Sequence, residues 1–199
     1  MMLPAMHLKA TLVAFAVALV AFSTTADAAP KKKYHFKLAA VTAKPEVAAD
    51  VAKEATPRIQ GQVEKTFTSH PQLVGAIEGA PDPDAKPDAF RKFLKRKGIA
   101  GAYLVTVEVT DASIELVPME HKPKSQRLVV RVAVHLLGEN VPGRTMGFTG
   151  DGQATIKQEV GLKVRDRDRE YTWDQAAEAA VADAMTTVFK QLAVPPKKQ

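Results

Sequence analysis

The chain has 199 residues, a formal net charge of +6 at pH 7 and no cysteine. The lack of cysteine excludes a disulfide framework, a thiolate metal site, a cysteine nucleophile and a lipidated cysteine. A chain of this length can bury one hydrophobic core without disulfides, so the composition predicts one globular domain.

An apolar segment without a charged residue occupies residues 10–22. Ala26 and Ala28 follow it and place small residues at both positions that a signal peptidase reads. The segment is shorter than the roughly 20 residues that a membrane-spanning helix needs. Residues 1–28 are therefore predicted to be a cleaved signal peptide. This places the mature chain in the periplasm or outside the cell, without a permanent membrane anchor.

Most of the net charge lies near the two ends of the mature chain, where short basic segments are typical of solvated tails. The lysines concerned are Lys31, Lys32, Lys33, Lys197 and Lys198. The pattern divides the mature chain into a basic N-terminal arm (29–34), one domain (35–194) and a basic C-terminal tail (195–199).

The first half of the domain alternates strand-like and helix-like segments. Residues 34–42 alternate apolar and polar side chains, which predicts a half-buried strand, and residues 72–77 predict a second, short strand. Between them, apolar residues recur about every four positions, which predicts a helix. Pro57 lies in that helical stripe, so either the helix kinks there or a new helix begins with Thr56 as its N-cap.

A short basic helix is predicted after the proline-rich loop that precedes residue 88. Asp88 can cap its N-terminus, Phe90, Phe93 and Leu94 face inward, and Gly98 ends it. Its outward face carries the most concentrated positive charge in the domain: Arg91, Lys92, Lys95, Arg96 and Lys97. This patch is either a contact site for an anionic partner, such as an acidic envelope protein or a cell-wall polymer, or an ordinary solvated face.

Three strands are predicted next. Residues 102–110 place alternate valines on one face, and after a turn near Asp111 the segment 114–120 could continue the sheet. Residues 127–137 form the strongest strand pattern, and residues 145–160 are strand-like at both ends, with a glycine-rich bulge or bend between them.

A long alanine-rich helix closes the domain. Thr172 and Gln175 have the spacing of a capping box, so the helix is predicted to begin at Trp173 and to bury an apolar stripe against the sheet. The alternating charges of residues 165–170 predict an exposed connector before it. The fold class is therefore α/β (α+β), with a mixed sheet of about five strands in the order β-α-β-α-β-β-β-α.

This order of elements resembles a family of exported bacterial α/β domains, on residues 97–109, 127–155 and 174–192. The family includes the N-terminal domain of the TolB translocation protein, the curli-secretion lipoproteins and the lipoprotein activators of penicillin-binding proteins. The resemblance is one of pattern, and it implies a non-enzymatic binding or assembly role in the cell envelope. The missing lipidation cysteine departs from the lipoprotein members, so membrane tethering is not implied.

The sequence contains no G-x-S-x-G, P-loop or H-E-x-x-H motif, so no catalytic site, cofactor or metal site is predicted. The alternative to a binding module is a small secreted hydrolase whose site is assembled from loops, such as one that joins Ser69 or Ser125 to His70 or His121.

Two further ligand classes are disfavoured. Asp82, Asp84 and Asp88 lack calcium-loop spacing. A nucleic-acid partner is not expected, because neither aromatic stacking residues nor an extended basic groove is evident.

Overall fold

The computed structural model describes residues 32–194, which form three helices and a five-stranded mixed sheet with the strand order β2-β1-β3-β4-β5. The sheet curves into a half-barrel, and the element order confirms the predicted fold class. β1 pairs in parallel with β2 and β3, whereas β3, β4 and β5 are antiparallel neighbours. In chain order the elements are β1 (Lys33–Ala43), α1 (Ala49–Ser69), β2 (Leu73–Val74), α2 (Pro87–Arg96), β3 (Ile99–Pro118), β4 (Ser125–Asn140), β5 (Met146–Gly161) and α3 (Asp166–Ala193).

The domain begins slightly earlier than predicted. β1 starts at Lys33, and the Tyr34 side chain is buried, so both residues belong to the sheet and not to the basic arm. The predicted signal peptide (1–28) and basic tail (195–199) lie outside the described residues. Within residues 32–194, no helix is both long and apolar enough to span a membrane.

One face of the sheet is covered by two helices. α1 packs on β1 and β3, and α3 packs on β4, β5 and α1. The apolar stripe of α1 is buried at Ala55, Ile59, Val63 and Phe67, as predicted. Each large aliphatic or aromatic side chain buried in this layer contributes roughly 1.5 to 3 kcal/mol. The helix is continuous, with an exposed Pro57 inside it, so the alternative of a new helix capped by Thr56 is wrong.

β3 and β4 have the inward faces that their alternation predicts. Val105, Val107 and Val109 of β3 are fully buried, and the apolar positions between Leu128 and Leu136 of β4 are buried opposite them. The turn predicted near Asp111 does not occur. β3 passes through this point with a bulge between Val109 and Asp111, because β4 continues to pair with it on the other side.

The glycines of β5 combine a bulge with close packing. The register shifts at Gly147, which confirms the predicted bulge there, whereas Gly150 and Gly152 mark no bend. β5 is one uninterrupted strand. A Cβ atom at Gly152 would collide with the backbone of Ala180 and Ala184, and one at Gly150 would collide with Val188 and the Ala184 carbonyl. These glycines therefore allow α3 to lie directly on the strand.

The predicted start of α3 at Trp173 is wrong. The helix begins at Asp166 and includes the charged segment that was predicted to be a connector. Arg165 donates two hydrogen bonds to the Asp168 carboxylate, at 2.8 and 3.1 Å, and these bonds lower the pKa of Asp168. Thr172 is buried and is not a cap. Its hydroxyl lies 2.6 Å from the Asp168 carbonyl oxygen and 2.5 Å from the side-chain oxygen of Gln158 in β5.

Side chains of α3 also occupy part of the outer edge of β5. The backbone N–H of Thr149 donates to the Gln191 side chain, and the N–H of Gln153 donates to the Asp183 carboxylate, both at 3.1 Å. The Thr187 hydroxyl lies 3.4 Å from the Asp151 carbonyl oxygen. This edge therefore has fewer free backbone groups to offer to another strand.

Candidate functional site

The basic helix α2 lies at one end of the sheet on a small apolar cluster of its own. Phe90, Phe93 and Leu94 are buried there, as predicted, against Ile99 and Ala102 of β3. The inward face of α2 therefore fixes the helix on the sheet, and its opposite face is left to solvent.

The ends of α2 differ in part from the prediction. Lys86 is the N-cap residue and makes no side-chain capping bond, whereas Asp88 lies inside the first turn and pairs with Arg91 at 3.0 Å. Pro87 is the first helical residue, where a missing N–H costs nothing. Gly98 follows the helix with a φ of 67°, a left-handed conformation that glycine adopts without strain.

All five predicted cations of α2 are exposed, and the structure brings them together on one helix: Arg91, Lys92, Lys95, Arg96 and Lys97. We call this set the α2 basic patch. Arg91 is paired with Asp88, and the Lys97 ammonium lies 5.8 Å from the centre of the Phe93 ring. Among residues 32–194, no carboxylate forms a salt bridge with Lys92, Lys95 or Arg96. Three cations of the patch are thus available to an anion.

The structure places a further cation, Lys33, close to the α2 basic patch, and the sequence pattern did not indicate this proximity. Lys33 and Lys97 line the same shallow groove, of about 360 Å³, beside Glu78 and Phe93. The register of the parallel β1–β3 pair explains the proximity, because Lys33 pairs with Ile99, just after α2. The alternating pattern of β1 predicted a strand but could not show which strand would lie beside it.

A second cleft, of about 420 Å³, lies between the sheet and the segment that precedes α2. Phe90, Leu104 and Val141 contribute apolar surface, and His35 and Lys37 contribute polar groups. The His35 ring is held by a 3.0 Å hydrogen bond, in which Nδ1 donates to the carbonyl oxygen of Val74. Tyr103 also lines this cleft, and burial raises the pKa of its phenol. The cleft adjoins α2, because Phe90 of that helix forms part of its wall.

The serine and histidine residues of the hydrolase alternative make other contacts in the structure. The Ser69 hydroxyl donates to the Lys65 carbonyl of its own helix at 2.8 Å. The His70 ring stacks on Phe189, with 4.3 Å between the ring centres. Ser125 lies near Glu159, whose pKa is lowered chiefly by the 2.6 Å hydrogen bond from Lys122 and to a smaller extent by Ser125. His121 is exposed in the turn between β3 and β4.

One histidine–carboxylate pair was not predicted from sequence. His135 of β4 and Asp151 of β5 are directly opposite in the sheet, and Nδ1 lies 2.7 Å from the carboxylate oxygen. Both lie on the face away from the α1–α3 layer, and the Asp151 side chain is 81% exposed. Alternation along β4 placed His135 on that face, but only the β4–β5 register identifies its partner.

The acidic loop before α2 is organised by its own backbone. The Asp82 carboxylate accepts hydrogen bonds from the backbone N–H groups of Asp84 and Ala85, at 2.9 and 3.2 Å. This is an Asx-type turn, which stabilises the loop without a ligand. No cluster of three or more potential metal ligands occurs among residues 32–194.

No family model and no curated protein matches this chain. Several solved structures of bacterial lipoproteins are similar to it in fold. They include a minor lipoprotein from Acinetobacter baumannii (8% identity, TM-score 0.36, 78% of this chain and 96% of that chain covered). Another is the rare lipoprotein B from Shewanella oneidensis (12%, TM-score 0.38, 77% and 95%). A third is an uncharacterized lipoprotein B from Nitrosomonas europaea (10%, TM-score 0.37, 81% and 93%). At these identities and scores, the likeness assigns no function to this chain.

Proposed function

We propose that this protein is an exported, non-enzymatic binding or assembly module of the cell envelope. Its partner is an anionic one, an acidic envelope protein or a cell-wall polymer, and it binds at the α2 basic patch. The observation that carries the proposal is a set of three cations on α2, Lys92, Lys95 and Arg96, that form no salt bridge with any residue of the described range 32–194. The apolar face of the helix holds them in place on the sheet. We do not propose a nucleic-acid partner. A binding or assembly role is also what the sequence resemblance to the TolB, curli-secretion and penicillin-binding-protein activator domains implies.

The spacing of these cations supports a binding role on energetic grounds. Lys92 and Arg96 are four residues apart, as are Arg91 and Lys95, so each pair lies on one side of the helix. Like charges at this spacing destabilise a helix by about 0.2 to 0.5 kcal/mol per pair. The favourable position of Lys95 and Arg96 in the last turn offsets part of this cost. A partner that carries negative charge would relieve the remaining repulsion.

The patch is tested by neutralising its three unpaired cations. We expect the variant K92Q/K95Q/R96Q to bind immobilised polyglutamate at least about tenfold more weakly, because each exposed ionic contact contributes about 0.5 kcal/mol. The dissociation constant is measured by surface plasmon resonance over a salt series. The salt dependence should be shallower for the variant than for the original chain.

The matched control removes the same charge elsewhere. Lys53, Lys157 and Lys163 are exposed cations on α1, on β5 and after β5. If the control variant K53Q/K157Q/K163Q weakens binding as much as the patch variant does, net charge explains the affinity and the proposed site is wrong. Glutamine adds no negative charge at the C-terminus of α2, where negative charge would destabilise the helix. Both variants are therefore expected to unfold at similar temperatures.

Export is tested separately. The protein expressed from its full sequence is expected to be recovered in the periplasmic or culture fraction with Ala29 as its first residue, because Ala26 and Ala28 form the cleavage signal. N-terminal sequencing and intact mass measure this directly. A full-length chain that starts at Met1 and remains in the membrane fraction would contradict the predicted export.

A further inference from the structure

In the described part of the chain, a long segment of β3 has a neighbouring strand on one side only. β3 contains 20 residues, but β1 pairs with it only as far as Val109. The chain then leaves β1, and the Lys44 N–H donates to the Val109 carbonyl at 3.0 Å as the last bond of this edge. Among residues 32–194, the segment 110–118 pairs only with β4. We call residues 110–118 the open β3 edge.

This edge differs from the other long edge of the sheet in how it is covered. On β5, the side chains of Gln191 and Asp183 accept hydrogen bonds from the backbone of Thr149 and Gln153. Among residues 32–194, no side chain forms a hydrogen bond with the backbone of the open β3 edge. Unpaired backbone groups in an extended strand are a template for another strand. The open β3 edge therefore retains the capacity to pair that β5 has partly lost.

Apolar side chains are exposed on the same segment. Leu116 is 50% exposed, although Leu128, which pairs with it on β4, is only 2% exposed. Leu128 lies on a strand with neighbours on both sides, β3 and β5, whereas Leu116 lies on the edge strand of this part of the described sheet. Val117 is also exposed, at 39%. A strand added to this edge would bury apolar surface as well as satisfy backbone hydrogen bonds.

We propose that the open β3 edge is a homodimer interface, in which two copies of this chain pair antiparallel with Ile114 opposite Ile114. A twofold axis makes such an interface self-complementary. In this register, Leu116 of each copy lies opposite the small Ala112 of the other, on the apolar face of the sheet. Glu115 lies opposite the uncharged Ser113 of the other copy, and no two like charges oppose each other.

The segments of this chain that lie outside the described residues start from the far end of the sheet. Lys33 pairs with Ile99 at the beginning of β3, and the Tyr34 hydroxyl donates to the Leu192 carbonyl at 3.0 Å. Both ends of the described chain are therefore remote from the open β3 edge. A second copy supplies a strand whose side chains match this edge.

Two substitutions at Ser113 separate dimer formation from folding. Ser113 pairs with Arg131 of β4 within its own chain and would face Glu115 of the second copy. S113E gains a favourable neighbour within the chain, but it opposes like charges twice in the dimer. S113K places a like charge opposite Arg131 within the chain, and in the dimer it places an opposite charge beside Glu115 of the second copy. We expect S113E to weaken the dimer about tenfold and S113K to tighten it, while the thermal stability of the monomer changes in the opposite directions.

The dimer is measured by sedimentation velocity over a concentration series of the mature chain, with S113E, S113K and L116K compared at each concentration. L116K should also weaken the dimer, because it places charge where apolar contact is expected. A chain that stays monomeric throughout would overturn the proposal, including the case in which the edge binds a strand of a different protein. A dimer that responds equally to S113E and S113K would also overturn it.

The register is tested by disulfide cross-linking, which the lack of native cysteine makes unambiguous. Residues directly opposite in an antiparallel pair have Cα atoms about 4.5 to 5.5 Å apart, within the range of a disulfide. I114C is expected to form a covalent dimer on mild oxidation, and the control T155C on β5 is not. Efficient cross-linking of T155C with none of I114C would place the interface on β5 and reject the open β3 edge.

Discussion

The G152A variant is expected to be destabilised by at least about 3 kcal/mol, enough to unfold much of the protein at physiological temperature. The added Cβ atom would lie closer than 3.0 Å to the carbonyl oxygen of Ala180 and to the amide nitrogen of Ala184. These are backbone atoms in the middle of α3, so no side-chain rotation can relieve the collision. The helix must move away from β5 along its length, which opens the core that the two elements share.

Two other glycines provide the matched controls for G152A. A Cβ atom at Gly161 would meet no atom closer than 3.9 Å, so G161A should change the free energy of unfolding by less than about 0.5 kcal/mol. Gly61 lies inside α1 with nothing within 4 Å, so G61A should stabilise the protein by up to about 1 kcal/mol. Urea unfolding monitored by circular dichroism measures all three. A G152A variant as stable as G161A would show that α3 does not rest on the β5 backbone.

Replacing Trp173 with alanine is expected to cost about 3 to 5 kcal/mol, because the side chain is fully buried between α3 and the sheet. The indole N–H has no hydrogen-bond partner among the described residues. An unsatisfied buried donor costs about 1 to 3 kcal/mol, so W173F, which removes the donor and keeps an aromatic ring, should be less destabilising than W173A.

Trp173 is the only tryptophan in the chain, so its emission reports on α3 in the original protein. The emission should shift to longer wavelength when urea exposes the indole, at the same midpoint as the loss of helical signal. For the two variants, circular dichroism supplies the free energy of unfolding. An exposed, already red-shifted indole in the native protein, or a W173A variant of unchanged stability, would contradict a core position and move α3 to the candidate binding surfaces.

The element order and the inward faces of most elements could be predicted from sequence because periodicity is a local property. Alternation identified the buried valines of β3 and β4, and a period near four identified Ile59 and Val63 of α1. The α2 basic patch was predictable for the same reason, because Phe90, Phe93 and Leu94 define a buried face and leave the cations on the other. These inferences required no knowledge of neighbouring elements.

Errors arose where a residue's role depends on a distant part of the chain. Thr172 has a capping sequence around it, yet its hydroxyl lies inside α3 within hydrogen-bond distance of Gln158 of β5. Gly152 suggests a bend on local grounds, and only the approach of α3 shows that it provides space. Asp111 suggests a turn, but the β4 strand opposite keeps β3 extended.

The sequence by itself determined the fold class, the buried faces and the presence of a basic helix, since side-chain pattern controls which surfaces leave water. Only the tertiary structure decided which strands lie side by side. That choice brings Lys33 to the groove lined by Lys97 and pairs His135 with Asp151. It also leaves the open β3 edge, within the described part of the chain, with β4 as its one neighbouring strand. Strand register and helix placement depend on packing between residues far apart in the chain, and no local pattern encodes them.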